Sequence, residues 1–164
     1  MIKMHKSLND FYLFLKKERN FSENTIKSYM TDLNKFKKFL NDDNYDINKI
    51  SRKQIRAFLS SEFDKKFSDR TIARRLASVK SYFKFMVKSE QVHSNPSENI
   101  RSPKIARSLP NFIDQKIIDS LMDSPDESTS IGLRDKAMLE LFYSTGMRLS
   151  ELVSLNHGSI DYKN

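Results

Sequence analysis

The stretch Ser68-Asp69-Arg70-Thr71-Ile72-Ala73-Arg74-Arg75-Leu76-Ala77-Ser78-Val79-Lys80-Ser81-Tyr82-Phe83-Lys84-Phe85-Met86-Val87-Lys88 decides the fold. Its apolar residues Ile72, Leu76, Val79, Phe83, Met86 and Val87 recur in alternating steps of four and three, the spacing of one buried helix face. Ser68 is placed to cap that helix, because a serine hydroxyl accepts a bond from a free N–H of the first turn. The spacing predicts a helix to about Lys88, roughly 30 Å long at about 1.5 Å per residue. Opposite the stripe lie Arg70, Arg74, Ser78, Ser81 and Lys88, with Ala77 among them. Arginines that reach base edges or phosphates, with serines that bond phosphates, on a helix that fits the major groove are what reading duplex DNA requires. A solvated bundle face has the same composition.

Upstream, three more helices are expected. Residues 8–17 hold Leu8, Phe11, Tyr12, Leu13, Phe14 and Leu15, dense enough for a helix packed on several sides. Ser22 and Glu23 open a second helix, to about Leu40, with Ile26, Tyr29, Met30, Leu33, Phe36 and Leu40 on one arc and Ser28, Thr31, Lys35 and Lys38 on the other. Residues 41–44 form a turn-rich connection. Ser51 and Gln54 then have capping-box spacing and start a third helix, to about Glu62.

Downstream, 94–110 carries three of the four prolines and reads as a linker. Its Arg101, Lys104 and Arg107 would let it follow a DNA backbone; a plain tether is the alternative. Asp114 caps a short helix ending near Met122, and 124–130 is a polar loop. Residues 133–143 are apolar almost all round the wheel, so that helix is expected to be buried. Gly146 is its stop signal, Ser150 is placed to cap the next helix, and Glu151 falls in that helix's first turn. Arg148 is thereby presented in the break, a planar guanidinium suited to phosphate oxygens. Residues 156–159 turn, and 160–162 could begin a strand. The domains are therefore expected at 1–93 and 111–164.

Charge follows the same division. Residues 1–107 hold 24 Lys and Arg against 12 Asp and Glu, or +12; residues 108–164 hold 5 against 9, or −4; together they give the net +8. A polyanion is the expected partner of the first region. Heavy lysine usage in an AT-rich genome is the bland alternative. The absence of cysteine excludes disulfides and thiol chemistry and suggests a reducing compartment. No run approaches the roughly 18 apolar residues of a membrane helix, and the N-terminus lacks a signal-peptide core. The expected location is the cytoplasm.

A resemblance sharpens these readings. Ser144 to Leu152 resembles the first signature box of tyrosine recombinases. Asn24-Thr25-Ile26 with Tyr29, Asp32-Leu33 and Phe36 is similar to the second helix of that family's core-binding domain. Thr71 to Leu76 with Ser81 to Phe85 is similar to its fourth, and Asn95-Pro96, Pro103-Lys104 and Leu109-Pro110 fall where its linker has them. The ordered set spans nearly the whole chain and points to the N-terminal part of a Xer-type recombinase of the phage integrase family.

The resemblance implies a mainly α protein: a four-helix, SAM-like core-binding domain, a linker, and the start of a mainly helical catalytic domain. It implies strand cleavage by a tyrosine, a 3′-phosphotyrosyl intermediate, a free 5′-hydroxyl, and no metal or nucleotide cofactor. Arg148 matches the first catalytic arginine and Glu151 the acidic residue three places on, an orienting group. The lysine hairpin, His-x-x-Arg box and nucleophilic tyrosine have no counterpart in the sequence, and none of Tyr12, Tyr29, Tyr45, Tyr82, Tyr143 and Tyr162 has the nucleophile's context. His5, His93 and His157 match no catalytic position.

Ser28, Lys35, Arg70, Arg74, Arg75, Ser78, Ser81 and Lys104 are the expected DNA contacts. The partner is double-stranded DNA, with the full-length protein a tetramer on two sites, and neither a membrane nor a small-molecule substrate is expected. Two other readings stay open: a naturally short, non-catalytic DNA-binding protein, and a helical protein–protein module.

Overall fold

The computed structural model describes residues 4–40, 46–106 and 112–159, apart from the side chains of His5 and His157. The turn expected at 41–44, Arg107, Leu109-Pro110 and the strand expected at 160–162 lie outside the described residues. The protein is mainly α and divides into two compact units, Met1–Arg107 and Ser108–Asn164.

The first unit is built from α1 (Met4–Leu13), α2 (Glu23–Phe39), α3 (Arg52–Asp64) and α4 (Asp69–Lys88). The helix starts follow the local chemistry. The Ser22 hydroxyl accepts from the Thr25 N–H at 3.3 Å, and Ser68 does the same for Thr71 at 3.3 Å. Gln54 Oε1 reaches back to the Ser51 N–H at 2.7 Å, the reciprocal half of a capping box. The first helix departs from expectation at its end, where α1 widens into a π-helical turn over Phe14–Glu18. That turn sets Phe14 against Phe85, with ring centroids 4.6 Å apart.

Three helix ends are closed without glycine. Asn20, Lys66 and Glu90 take φ of 49°, 60° and 57°, the left-handed conformation of a helix stop. After the second of these, the Phe67 N–H bonds the Glu62 carbonyl at 3.3 Å. The chain thereby turns Phe67 back over α4.

α4 is the centre of the unit, since α1, α2 and α3 all pack on it. Ile72, Leu76, Val79, Phe83 and Met86 of its stripe are buried, together with Phe11, Leu33, Phe36, Ile55 and Phe58 from the surrounding helices. Each such side chain contributes about 1.5–3 kcal/mol through removal from water. Tyr82 is also buried, edge-on to Phe11, and its hydroxyl meets Ser7 Oγ at 2.5 Å. Burial, only partly offset by that bond, pushes the Tyr82 phenol up to about 12. Of the stretch 94–110, Ser97 and Ile100 are buried, and the Glu98 carbonyl accepts from Lys80 of α4 at 3.4 Å.

The second unit holds α5 (Gln115–Met122), α6 (Ser130–Thr145) and α7 (Leu149–Val153). Asp114 caps α5 through the Lys116 N–H at 2.9 Å, and Thr129 caps α6 through the Gly132 N–H at 3.0 Å. The Lys136 ammonium bonds the Met122 carbonyl at 2.8 Å, tying α6 to the end of α5. The expectation that 133–143 is buried is not met. Leu133 and Tyr143 are 54% and 58% exposed, and Gly132 is the one buried residue of α6 among those described. A helix apolar on all sides needs cover on all sides, and α5 supplies only one.

Candidate nucleic-acid interface and a presented arginine

In the first unit, the outer faces of α2 and α4 lie side by side. On α2, Ser28 and Lys35 are exposed on one helical face; the Ser28 hydroxyl bonds the Asn24 carbonyl at 2.9 Å, within its own helix. On α4, Arg70 is exposed, Arg74 is half-exposed and Ser81 is partly covered, spaced so that they share a face. Lys35 stands 5.8 Å from the Phe67 ring, which brings α2 and the entry to α4 together at this surface. Lys104 is exposed on the irregular segment that follows.

Two expected contacts are not on this face. Arg75 is 2% exposed and Ser78 is 4% exposed, so neither is presented to a partner. Arg75 pairs with Glu62 of α3, faces Asp32 Oδ1 of α2 at 3.9 Å, and lies 4.1 Å under the Phe67 ring. The Ser78 hydroxyl lies 3.0 Å from Asp32 Oδ2 and 3.2 Å from the Arg74 carbonyl. The cause is the central position of α4. Three helices pack around it, so its buried arc extends past the apolar stripe to include Arg75, Ser78 and Tyr82.

The acids that neutralise Arg75 went unnoticed as a group in the sequence, although a signal was present. Asp32 falls on the arc of Tyr29, Leu33 and Phe36, and Glu62 on that of Ile55, Phe58 and Leu59. Arg75 sits beside Ile72, Leu76 and Val79. Charged residues on three core-facing stripes are tolerated only if they meet, because an unpaired buried charge is too costly. The network extends to the surface in two places. Arg74 Nη1 bonds Asp32 Oδ2 at 2.5 Å, and Lys65 Nζ bonds Glu62 Oε1 at 3.2 Å.

In the second unit, Gly146 closes α6 with φ 63°, its N–H bonding the Phe142 carbonyl at 2.9 Å. Arg148, not Ser150, occupies the N-cap of α7. Glu151 satisfies that start: its carboxylate accepts the Arg148 N–H at 2.7 Å and Arg148 Nη1 at 3.1 Å. One carboxylate therefore fixes both the backbone turn and the direction of the guanidinium, and the Arg148 side chain remains 83% exposed. An exposed pair of this kind is worth little as a salt bridge. Its effect is to aim a cation with free N–H donors outward.

Comparison with known proteins finds relatives for both units. Residues 8–90 match the family model described as the phage integrase N-terminal SAM-like domain, and residues 111–164 match that of the phage integrase family. Tyrosine recombinase XerC of Herpetosiphon aurantiacus is 42% identical over 160 residues, covering 96% of this chain and 52% of the relative. Tyrosine recombinase XerD of Oceanobacillus iheyensis is 38% identical over 152 residues, covering 92% and 51%. Among solved structures, a lambda integrase tetramer bound to a Holliday junction has the same fold, with a TM-score of 0.75 at 17% identity over 98% of this chain and 44% of that one. The chain spans about half the length of the curated relatives it matches. It belongs to the phage integrase family, with Xer-type tyrosine recombinases as its relatives.

Proposed function

We propose that the chain is the duplex-DNA-binding part of a site-specific tyrosine recombinase. The carrying observation is the adjacency of the exposed α2 and α4 faces in a region of +12, within a chain alike over 96% of its length to proteins named tyrosine recombinases. On this reading Lys35, Arg70, Arg74 and Lys104 meet phosphates or base edges, with Ser28 and Ser81 at closer approach. Arg148 is the first of the phosphate-stabilising arginines, held by Glu151. In the full-length protein, a tetramer on two duplexes, Arg148 would neutralise charge on the pentacoordinate phosphate as a tyrosine attacks. The 164 residues alone bind DNA and do not cut it, because they include no counterpart of the nucleophile.

Salt dependence of duplex binding tests the first claim. Each phosphate contact contributes roughly −0.9 to the slope of log K against log salt, so Lys35→Glu with Arg70→Glu should flatten it by about two contacts. These two positions are chosen because Arg74→Glu would set a second carboxylate against buried Asp32. Binding that ignores salt and both substitutions would favour a helical protein–protein module. For the second claim, Arg148→Ala in the full-length protein should cut strand cleavage by about 10²–10³ and leave DNA binding only modestly weaker. Near-normal cleavage by that variant would remove Arg148 from the active site.

A further inference from the structure

Asp32 is fully buried, so it cannot touch a macromolecule, yet it is bonded to a side chain that can. Its Oδ2 holds Arg74 Nη1 at 2.5 Å, while the Arg74 side chain is 48% exposed. The same oxygen takes the Ser78 hydroxyl at 3.0 Å, and the other faces Arg75 Nε at 3.9 Å. Asp32 is thus fixed by neighbours on α4 before it fixes Arg74. We infer that Asp32 is a positioning residue that sets the Arg74 guanidinium for base readout, and so governs discrimination between DNA sequences more than affinity for DNA; this rests on the DNA-binding reading above.

The chemistry supports that division. A guanidinium carries five N–H donors, and the bond to Asp32 engages one, leaving an edge free for a two-point contact with a base. Contact with phosphate needs charge and tolerates many orientations, whereas a bidentate base contact requires one plane and one direction. An arginine ordered in advance loses less freedom on binding than an unrestrained one. Positive charge also survives the pairing. Asp32 and Glu62 face Arg74, Arg75 and Lys65, two negative charges against three positive, and Arg74 and Lys65 are the exposed members at 48% and 59%.

The test uses the 164-residue chain, a duplex selected by it from a random-sequence pool, and a shuffled duplex of equal composition. The readout is the ratio of the two dissociation constants. Asp32→Asn should lower that ratio roughly tenfold with binding to the shuffled duplex nearly unchanged, whereas Arg74→Ala should lower the ratio as far while weakening binding to both duplexes. The double variant should be no worse than Arg74→Ala alone. Ser78→Ala, which loosens the network but keeps the Asp32–Arg74 pair, should retain the ratio even if it lowers the melting temperature. Should Asp32→Asn fail to fold, the unaltered protein still decides: by NMR the Arg74 guanidinium should be rotationally restrained without DNA, and that of Arg70 mobile. An unchanged ratio in Asp32→Asn, additive losses in the double variant, or an Arg74 as mobile as Arg70 would overturn the inference and leave DNA binding standing. Failure of the unaltered chain to bind either duplex would overturn both.

Discussion

The two units use apolar residues in opposite ways. In the first, Phe11, Phe36, Phe58, Phe83 and Met86 are within 1% of complete burial, and charged residues that enter the core do so with partners. In the second, Ile113, Ile117, Leu133, Leu149 and Val153 are each more than half exposed. Helix formation is not the difference, since both units have capped helices with regular ends. What differs is cover. The first unit has a helix, α4, around which three others close, whereas α6 has comparable apolar content and α5 is its main packing partner among the described helices. Secondary structure is thus dictated locally in both units, while stability is concentrated in one.

Separating the units should produce the largest effect. A polypeptide of residues 1–107 should unfold cooperatively in urea, and one of residues 108–164 should show no cooperative transition, because its exposed apolar faces cannot offset chain entropy. A sharp transition in the second piece would break the contrast. Next comes the ion network. Arg75→Met leaves Glu62 and Asp32 without their buried counter-charge and should cost the first unit about 3 kcal/mol by urea titration, since Lys65 and Arg74 compensate only in part. The smallest effect is a pH dependence confined to the first unit. Tyr82 keeps its proton in the folded state to about 12, while the unfolded chain releases it near 10. The stabilisation is therefore intact below pH 10 and fades as pH rises toward 12, by about 2–3 kcal/mol at about 1.4 kcal/mol per unit. Tyr82→Phe should remove that fall.

Much of this was legible in the sequence, for local reasons. Ser22, Ser68 and Asp114 cap helices as their positions foretold, and Gly146 takes the left-handed turn that ends α6. These depend on a few neighbouring residues and nothing distant. The four-helix order of the first unit followed from periodicity in the same way. The cap of α7 was misplaced by two residues, because Glu151 can serve a start at Arg148 as well as one at Ser150, and side-chain reach decided it. The interface was harder to read. A helical wheel separates apolar from polar residues, and it put Ser78 outside because serine is polar. It does not reveal that α2 brings a carboxylate to meet that serine, nor that Arg75 has two acids and an aromatic ring waiting inside. Pairing is a property of two helices, and the wheel considers one.

The buried carboxylate of Asp32 also fixes how α2 can lie along α4. Apolar stripes alone would tolerate a slide of one helical turn, about 5.4 Å, since apolar side chains recur about once per turn on both helices. Asp32 does not repeat. After a slide in either direction Thr71 or Val79 would stand where Arg75 now faces it, and the three partners would no longer meet it together, so the present alignment is favoured over its neighbours. The ion network thus acts as an index mark between two helices, and the spacing of Lys35 from Arg70 across the outer surface is set by a residue that never reaches it.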